Sequence, residues 1–371
     1  MFRTLFLLSL LFSFDFSYAS WQEIAKEGTQ ARLSGNYEKA KLIEQRLINE
    51  AGYPIGHIFA INTIITQLSW DDTQTQFDQV IFEHTEEVKS WCEPRLNSKD
   101  LKAIANHYCG QADFALSLYY GLKGNYIRAG QYGSQAIGWL ESALVADPDL
   151  TDAKLHLGVA YFVADNLPPF IKMFSRLLWF IPTGNSDKSL PYILDVITEG
   201  DEFPDVARYI YSTLMLFDDS TRELAVRELQ YLSDQYPTNS RFQLRLISVL
   251  LMQQNYAAAL SQSQNYLRYK PTDSDLTLTR VWMVRAYIGM SNFEAAEKLL
   301  GRIKVSEYET LPSWSRSWHM LSIAQIQDLS GHREKAVETY NAILLLSRSD
   351  YVDKLIFEAA DNGIMMPFKV K

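Results

Sequence analysis

The chain has 371 residues, 47% hydrophobic and 21% charged, with a formal net charge of -9. That balance supports a folded core and excludes a disordered chain or a membrane bundle. The negative total argues against nucleic acid as the main ligand, because phosphate binding releases counterions only where the surface is positive.

At the N-terminus Arg3 supplies a short positive segment, Leu5 to Phe14 an apolar stretch, and Ser17-Tyr18-Ala19 the small residues a signal peptidase accepts. The pattern predicts a cleavable export signal over residues 1–19, cut after Ala19, and hence a periplasmic or secreted protein. The competing reading, an uncleaved anchor, fits less well: Asp15 breaks the apolar run, which falls short of the roughly 20 residues that span a bilayer. Beyond it the chain divides into helical hairpins over 20–162, an irregular insert over 163–204, and further hairpins with a capping helix over 205–371. Gly28, Gly35-Asn36-Tyr37 and Ala40 mark the first hairpin.

Cys92 and Cys109 are the two cysteines of the chain. In an oxidising compartment they could close a short loop across a hairpin. If the turn lies near Pro94 to Ser98, however, Cys109 sits about two helical turns further from it than Cys92, and a bridge needs Cα atoms within about 7 Å. The alternatives are a disulfide and two small buried hydrophobes.

The middle of the chain repeats itself. Gly124 and Gly158 stand 34 residues apart, read as small residues on the first helix of successive hairpins, and Ala136, Ala143 and Pro148 complete the hairpin that begins before Gly124. Ala225 and Ala259 are also 34 apart, as are Pro237 and Pro271. Asn292-Phe293 with Ala296, then Gly331 with Ala336 and Tyr340, continue the series. Small residues let helix axes approach closely, and aromatics fill the wedge beside them. Asp147-Pro148-Asp149, Tyr236-Pro237-Thr238-Asn239 and Lys270-Pro271-Thr272-Asp273 each end one helix and offer a cap to the next.

Between Phe162 and Pro204 the pattern is interrupted by Asn166-Leu167-Pro168-Pro169, the apolar run Phe170 to Ile181, and Pro182-Thr183-Gly184-Asn185. That run is too short to span a membrane. It reads as a buried helix sealing the stack, with partner docking or peripheral membrane contact as alternatives. At the other end, Asp350 to Ala360 reads as a cap with a polar outer face, and Pro367 to Lys371 as a loose tail.

The 34-residue offsets, with Leu157-Gly158-Val159-Ala160-Tyr161 matching an L-G-x-x-Y core, resemble the tetratricopeptide repeat. The order from Gly124-Asn125-Tyr126 through that core to Leu167-Pro168, an apolar run and Ser189-Leu190 is similar to the outer-membrane/inclusion-body-associated tetratricopeptide proteins and their bacterial relatives, over roughly residues 115–270. The resemblance implies an all-α fold, a right-handed superhelical solenoid of antiparallel helix hairpins, and a noncatalytic scaffold that binds other proteins. The export signal departs from the mitochondrial members. In the chaperone-binding subset of the family, a clamp of basic and amide side chains holds a peptide's C-terminal carboxylate. The corresponding positions here hold Leu155 and Val159, then Leu244 and Ser248, so binding to the acidic tails of cytosolic chaperones is not expected.

Sequence motifs for catalysis, phosphate binding or zinc are absent: there is no G-x-S-x-G, H-E-x-x-H, G-x-x-x-x-G-K-[ST] or G-x-G-x-x-G. The nearest approach to a metal-ligand pair is His107 with Cys109, which falls short of a tetrahedral set, so no metal and no cofactor are expected. First-helix positions that would line a concave face are His156, Phe162, Arg241, Arg245, Ser248, Trp282 and Arg285, and Trp and Arg are the types that most often anchor interfaces. The expected function is therefore a scaffold or adaptor for a protein or peptide partner. The alternatives are a self-assembling structural envelope protein and an accessory subunit of an envelope enzyme.

Overall fold

The computed structural model describes residues 20–166, 185–308, 311–346 and 351–369. The predicted export signal and the apolar run at 170–181 lie outside the described residues. Among the described residues all regular structure is helical. No described helix is long and apolar enough to cross a membrane.

The chain divides into two compact units, 1–211 and 212–371. The first contains α1 (20–33), α2 (Tyr37–Glu50), α3 (Ile55–Leu68), α4 (Asp78–Cys92), α5 (Lys102–Leu122), α6 (Tyr126–Ala146), α7 (Ala153–Asp165) and α8 (Ser186–Glu199). Helix α9 (Pro204–Leu214) spans the division. The second unit contains α10 (Arg222–Gln235), α11 (Ser240–Met252), α12 (Tyr256–Leu267), α13 (Asp273–Gly289), α14 (Phe293–Leu300), the single turn α15 (Val305–Tyr308), α16 (Ser313–Leu329), α17 (Arg333–Leu344) and α18 (Tyr351–Met365). Within each unit most successive helices pack on one another, and in the second unit α11 also touches α13, and α13 touches α16.

One turn recurs five times and explains why the helices pair. The preceding helix ends at a residue in the left-handed region: Gly35, Gly124, Gln254, Ser291 or Gly331, with φ of 75°, 73°, 59°, 60° and 79°. The next N–H, from Asn36, Asn125, Asn255, Asn292 or His332, donates back to the carbonyl five residues earlier at 2.8–2.9 Å, closing the helix end. The side chains of the four asparagines then accept from the N–H three residues on, capping the helix that follows. Both sets of orphaned backbone groups are satisfied within a few residues, so the chain reverses with little exposed backbone. An alanine follows four positions after each cap, at Ala40, Ala129, Ala259, Ala296 and Ala336; all but Ala129 are fully buried.

These turns correct the equation of Gly124 with Gly158. Gly124 lies in a turn, where its positive φ is what is required and a Cβ would meet nothing within 4 Å. Gly158 lies inside α7, where a Cβ would meet the Ser189 carbonyl oxygen at 2.7 Å and Ile193 at 2.9 Å. It is the contact that seats α8 on α7. The second helix expected after Gly158 is thus α8, and the interruption falls in the connection; residues 163–165 simply continue α7.

Cys92, the last residue of α4, and Cys109, in α5, are bonded, with Cα atoms 5.8 Å apart. The turn does not end at Ser98: a 3-10 segment at Glu93–Arg95 and further loop residues carry the chain to the start of α5 at Lys102. The bond is buried among Ile58, Ile61, Val88, Ala105, Tyr108 and Ala112, so the two cysteines are also core residues. Closing a loop of 17 residues constrains the unfolded chain by about 3 kcal/mol. Cys92→Ala/Cys109→Ala is therefore expected to lower the urea midpoint, as will reductant on the native sequence; equal midpoints with and without reductant would count against the bond.

At the far end α18 buries Ile356, Phe357 and Ala360 against Tyr340, Ile343 and Leu321, with Glu358, Asp361 and Asn362 exposed. The tail after it is anchored at Phe368 rather than loose. The Phe368 N–H donates to Asp328 Oδ2 at 2.8 Å, and its ring packs beside Val284, Ile288 and Leu329.

Candidate functional site

Helices α13 and α16 of the second unit bring together three tryptophans and an arginine, side chains typical of interfaces. Trp314 and Trp318 are four residues apart on α16 and so share one face. Trp282 of α13 lies against both, with ring centroids 6.1 Å from Trp314 and 5.7 Å from Trp318. Arg285, nearly one turn further along α13, sets its guanidinium 5.2 Å from the Trp318 ring and donates to Gln325 Oε1 on α16. Such cation–π contacts strengthen as the pair is desolvated.

The site is rich in donors. Burial brings the Arg285 pKa down to about 10; the groups that favour its charged form are the hydroxyls of Tyr256 and Tyr340, not a carboxylate. The indole N–H groups of Trp282 and Trp318 are buried without an acceptor. His319, beside Tyr308 with ring centroids 5.5 Å apart, is held below the usual imidazole pKa by burial, and its Nδ1 also lacks a partner. Nearby Arg280, by contrast, has Glu307 at 3.4 Å.

Of the residues predicted from sequence, Trp282 and Arg285 meet here. Trp282 is only 2% exposed, so it underlies the site; Trp314, Trp318 and Arg285 are half-buried. Arg241, Arg245 and Ser248 lie half-buried on α11. The Ser248 hydroxyl donates to the Arg245 carbonyl at 2.8 Å, and Arg245 Nε is buried without an acceptor. Counted back from the turn residues Asn255, Asn292 and His332, Ser248, Arg285 and Gln325 occupy the same register, seven positions earlier. Trp314, Trp318 and Gln325 were not among the predicted residues. The tryptophan pair at helical spacing was the available signal, while Gln325 carries none until the turns are aligned.

His156 and Phe162 belong to the first unit. His156 is 9% exposed and enclosed by Phe114 at 5.3 Å and by His107 and Phe203, each at 6.2 Å between ring centroids. Burial lowers its pKa to about 4 and that of His107, which bonds Gln111 at 2.9 Å, to about 3. Both rings are neutral aromatic packing at ordinary pH. Phe162 is half-buried near the end of α7.

The first unit also buries a charged group. Arg32 donates to the Thr63 hydroxyl at 2.9 Å, and the Thr29 hydroxyl donates to Glu202 Oε1 at 3.2 Å. Asp152 accepts the Glu202 backbone N–H at 3.0 Å, and Lys26 pairs with Asp201. The Lys26 and Thr29 contacts tie α1 to the loop after α8. Among the described residues no three His, Cys, Asp or Glu side chains are grouped to hold a metal ion. No protein-family model matches this chain, and no curated protein matches it.

Proposed function

We propose that the protein is an exported, noncatalytic solenoid of tetratricopeptide-type hairpins that holds a protein or peptide partner, with the α13–α16 face as its main contact surface. The five repeated turns support the repeat architecture: each is a left-handed residue, an Asn or His whose N–H closes the helix before it, and an alanine four positions on. In the second unit their spacing, 37 residues from Asn255 to Asn292 and 40 from there to His332, is close to the 34-residue period with short insertions. The observation that carries the binding role is the half-buried Trp314, Trp318 and Arg285 group laid over Trp282. Tryptophan and arginine in a partly desolvated cluster are the side chains that dominate binding energy at protein interfaces.

The test is photo-crosslinking in the native host, with the crosslinking residue at position 314 and a control at Val145, which is 81% exposed on α6. One protein captured from 314 and not from 145 is the expected result, and the pair Trp314→Ala and Trp318→Ala should weaken its capture at least tenfold. Adducts of the chain with itself alone would favour a self-assembling structural protein instead. No adduct from either position would remove the scaffold reading.

A further inference from the structure

We infer that the α13–α16 cluster receives a carboxylate carried on an acidic side chain of a peptide segment, an inference that rests on the scaffold reading. Arg285 is a desolvated cation whose described partners are an amide oxygen and an aromatic face. Two other arginines of this region are ion-paired: Arg280 has Glu307 at 3.4 Å and Arg333 has Asp328 at 3.0 Å. Two indole N–H donors within the same group lack acceptors. A half-buried charge with no counter-ion among the described residues and buried donors without acceptors each weaken a fold. All three are donors, so the imbalance has one sign.

A group that corrects it must be negative and offer more than one acceptor atom. The flat fork of a guanidinium matches the two oxygens of a carboxylate. The rings of Trp282, Trp314 and Trp318 surround the site with hydrocarbon, which favours an anion borne on an apolar stem over a bare inorganic ion. A nucleic acid would bring a run of phosphates towards a chain of net charge -9, whereas a single acidic side chain would not.

The experiment uses the mature protein labelled with 15N at the indoles, resonances being assigned through Trp282→Phe and Trp318→Phe. The probes are the blocked pentapeptide Leu-Glu-Leu-Glu-Leu, its Gln counterpart, and inorganic phosphate. The glutamate peptide is expected to move the Trp282 and Trp318 indole N–H signals and to half-saturate at a concentration roughly tenfold below that of the glutamine peptide. Arg285→Met should abolish that difference while circular dichroism stays unchanged. If that variant fails to fold, Trp318→Phe, which keeps the ring and deletes the donor, should raise the half-saturation point several-fold.

Equal effects of the two peptides would overturn the carboxylate assignment and leave the scaffold reading standing. Phosphate acting as well as the glutamate peptide would reduce the site to one for any small anion and overturn the side-chain claim. Silence of all three probes would overturn the proposal too, and the crosslinking experiment would then decide the scaffold reading by itself.

Discussion

Gly56→Ala is expected to destabilise the first unit by about 3 kcal/mol, the upper end of what an overpacked contact costs. Gly56 opens α3 against the end of α2. A Cβ there would lie 2.4 Å from the Ile48 nitrogen, 2.6 Å from the Leu47 carbonyl carbon and 2.8 Å from the Ile48 Cα. These are backbone atoms of a neighbouring helix, so no side chain can rotate out of the way. Relief requires moving α2, and with it Ile43 and Leu47 in the core shared with Ile55 and Phe59. Gly138, inside α6, is the contrast: a Cβ there meets nothing within 4 Å, and Gly138→Ala should raise stability by about 1 kcal/mol through helix propensity and unfolded-state entropy. Urea unfolding of the two variants beside the parent checks both signs. A neutral Gly56→Ala would mean that α2 and α3 are not in contact at this point.

Glu202 should make the first unit less stable as pH rises. Burial and then the neighbouring Asp152 push its carboxyl from 4.5 up to about 7, while Arg32 and the Thr29 hydroxyl pull the other way. Asp201, held by Lys26, adds to the upward shift, and Glu44 of α2 competes for the Arg32 charge. The folded form thus binds the Glu202 proton more tightly than the unfolded chain does. Its contribution is complete below about pH 4.5 and is lost as pH rises through about 7. The shift is worth roughly 2–3 kcal/mol after allowing for the part of the residue that reaches solvent. His107 and His156 act oppositely: buried and neutral, they withdraw stability as pH falls below 6.5 towards about 3 and about 4 respectively. The informative comparison is therefore with Glu202→Gln. The melting temperature of this variant should exceed the parent's at pH 8 and match it near pH 5. Parallel melting curves across that range would show that Glu202 is solvated in the folded state.

The helical character and most element ends were legible because they rest on local chemistry. Prolines 148, 237 and 271 follow the ends of α6, α10 and α12 within a few residues. Asn36, Asn125 and Asn292 cap where the capping preference of asparagine places them. The turn at Gln254 is harder to see, because glutamine there adopts a conformation that usually selects glycine. The apparent repeat from Gly124 to Gly158 misled for the opposite reason. Glycine answers two physical needs, a positive φ in one case and a close helix approach in the other, and a one-letter match does not separate them. The site was legible in part. Trp282 and Arg285 stood out by residue type and helix position, but their partners come from α16, beyond the α15 turn and the 301–304 and 311–312 connections that break the 34-residue count. His156 was unreadable as a core residue, since Phe114 and Phe203 reach it from segments more than forty residues away on either side.

The tie between α1 and the loop after α8 has a kinetic consequence. Most hydrogen bonds of the turns join residues five or fewer positions apart, and such contacts close in microseconds or less. Lys26 with Asp201 and Thr29 with Glu202 are separated by 175 and 173 positions. Loops of that length close late and at an entropic cost, so individual hairpins can form first and this seam last. In native-state hydrogen exchange, amides of α1 should then open at lower free energy than those of α5, making the seam the place where the first unit begins to come apart.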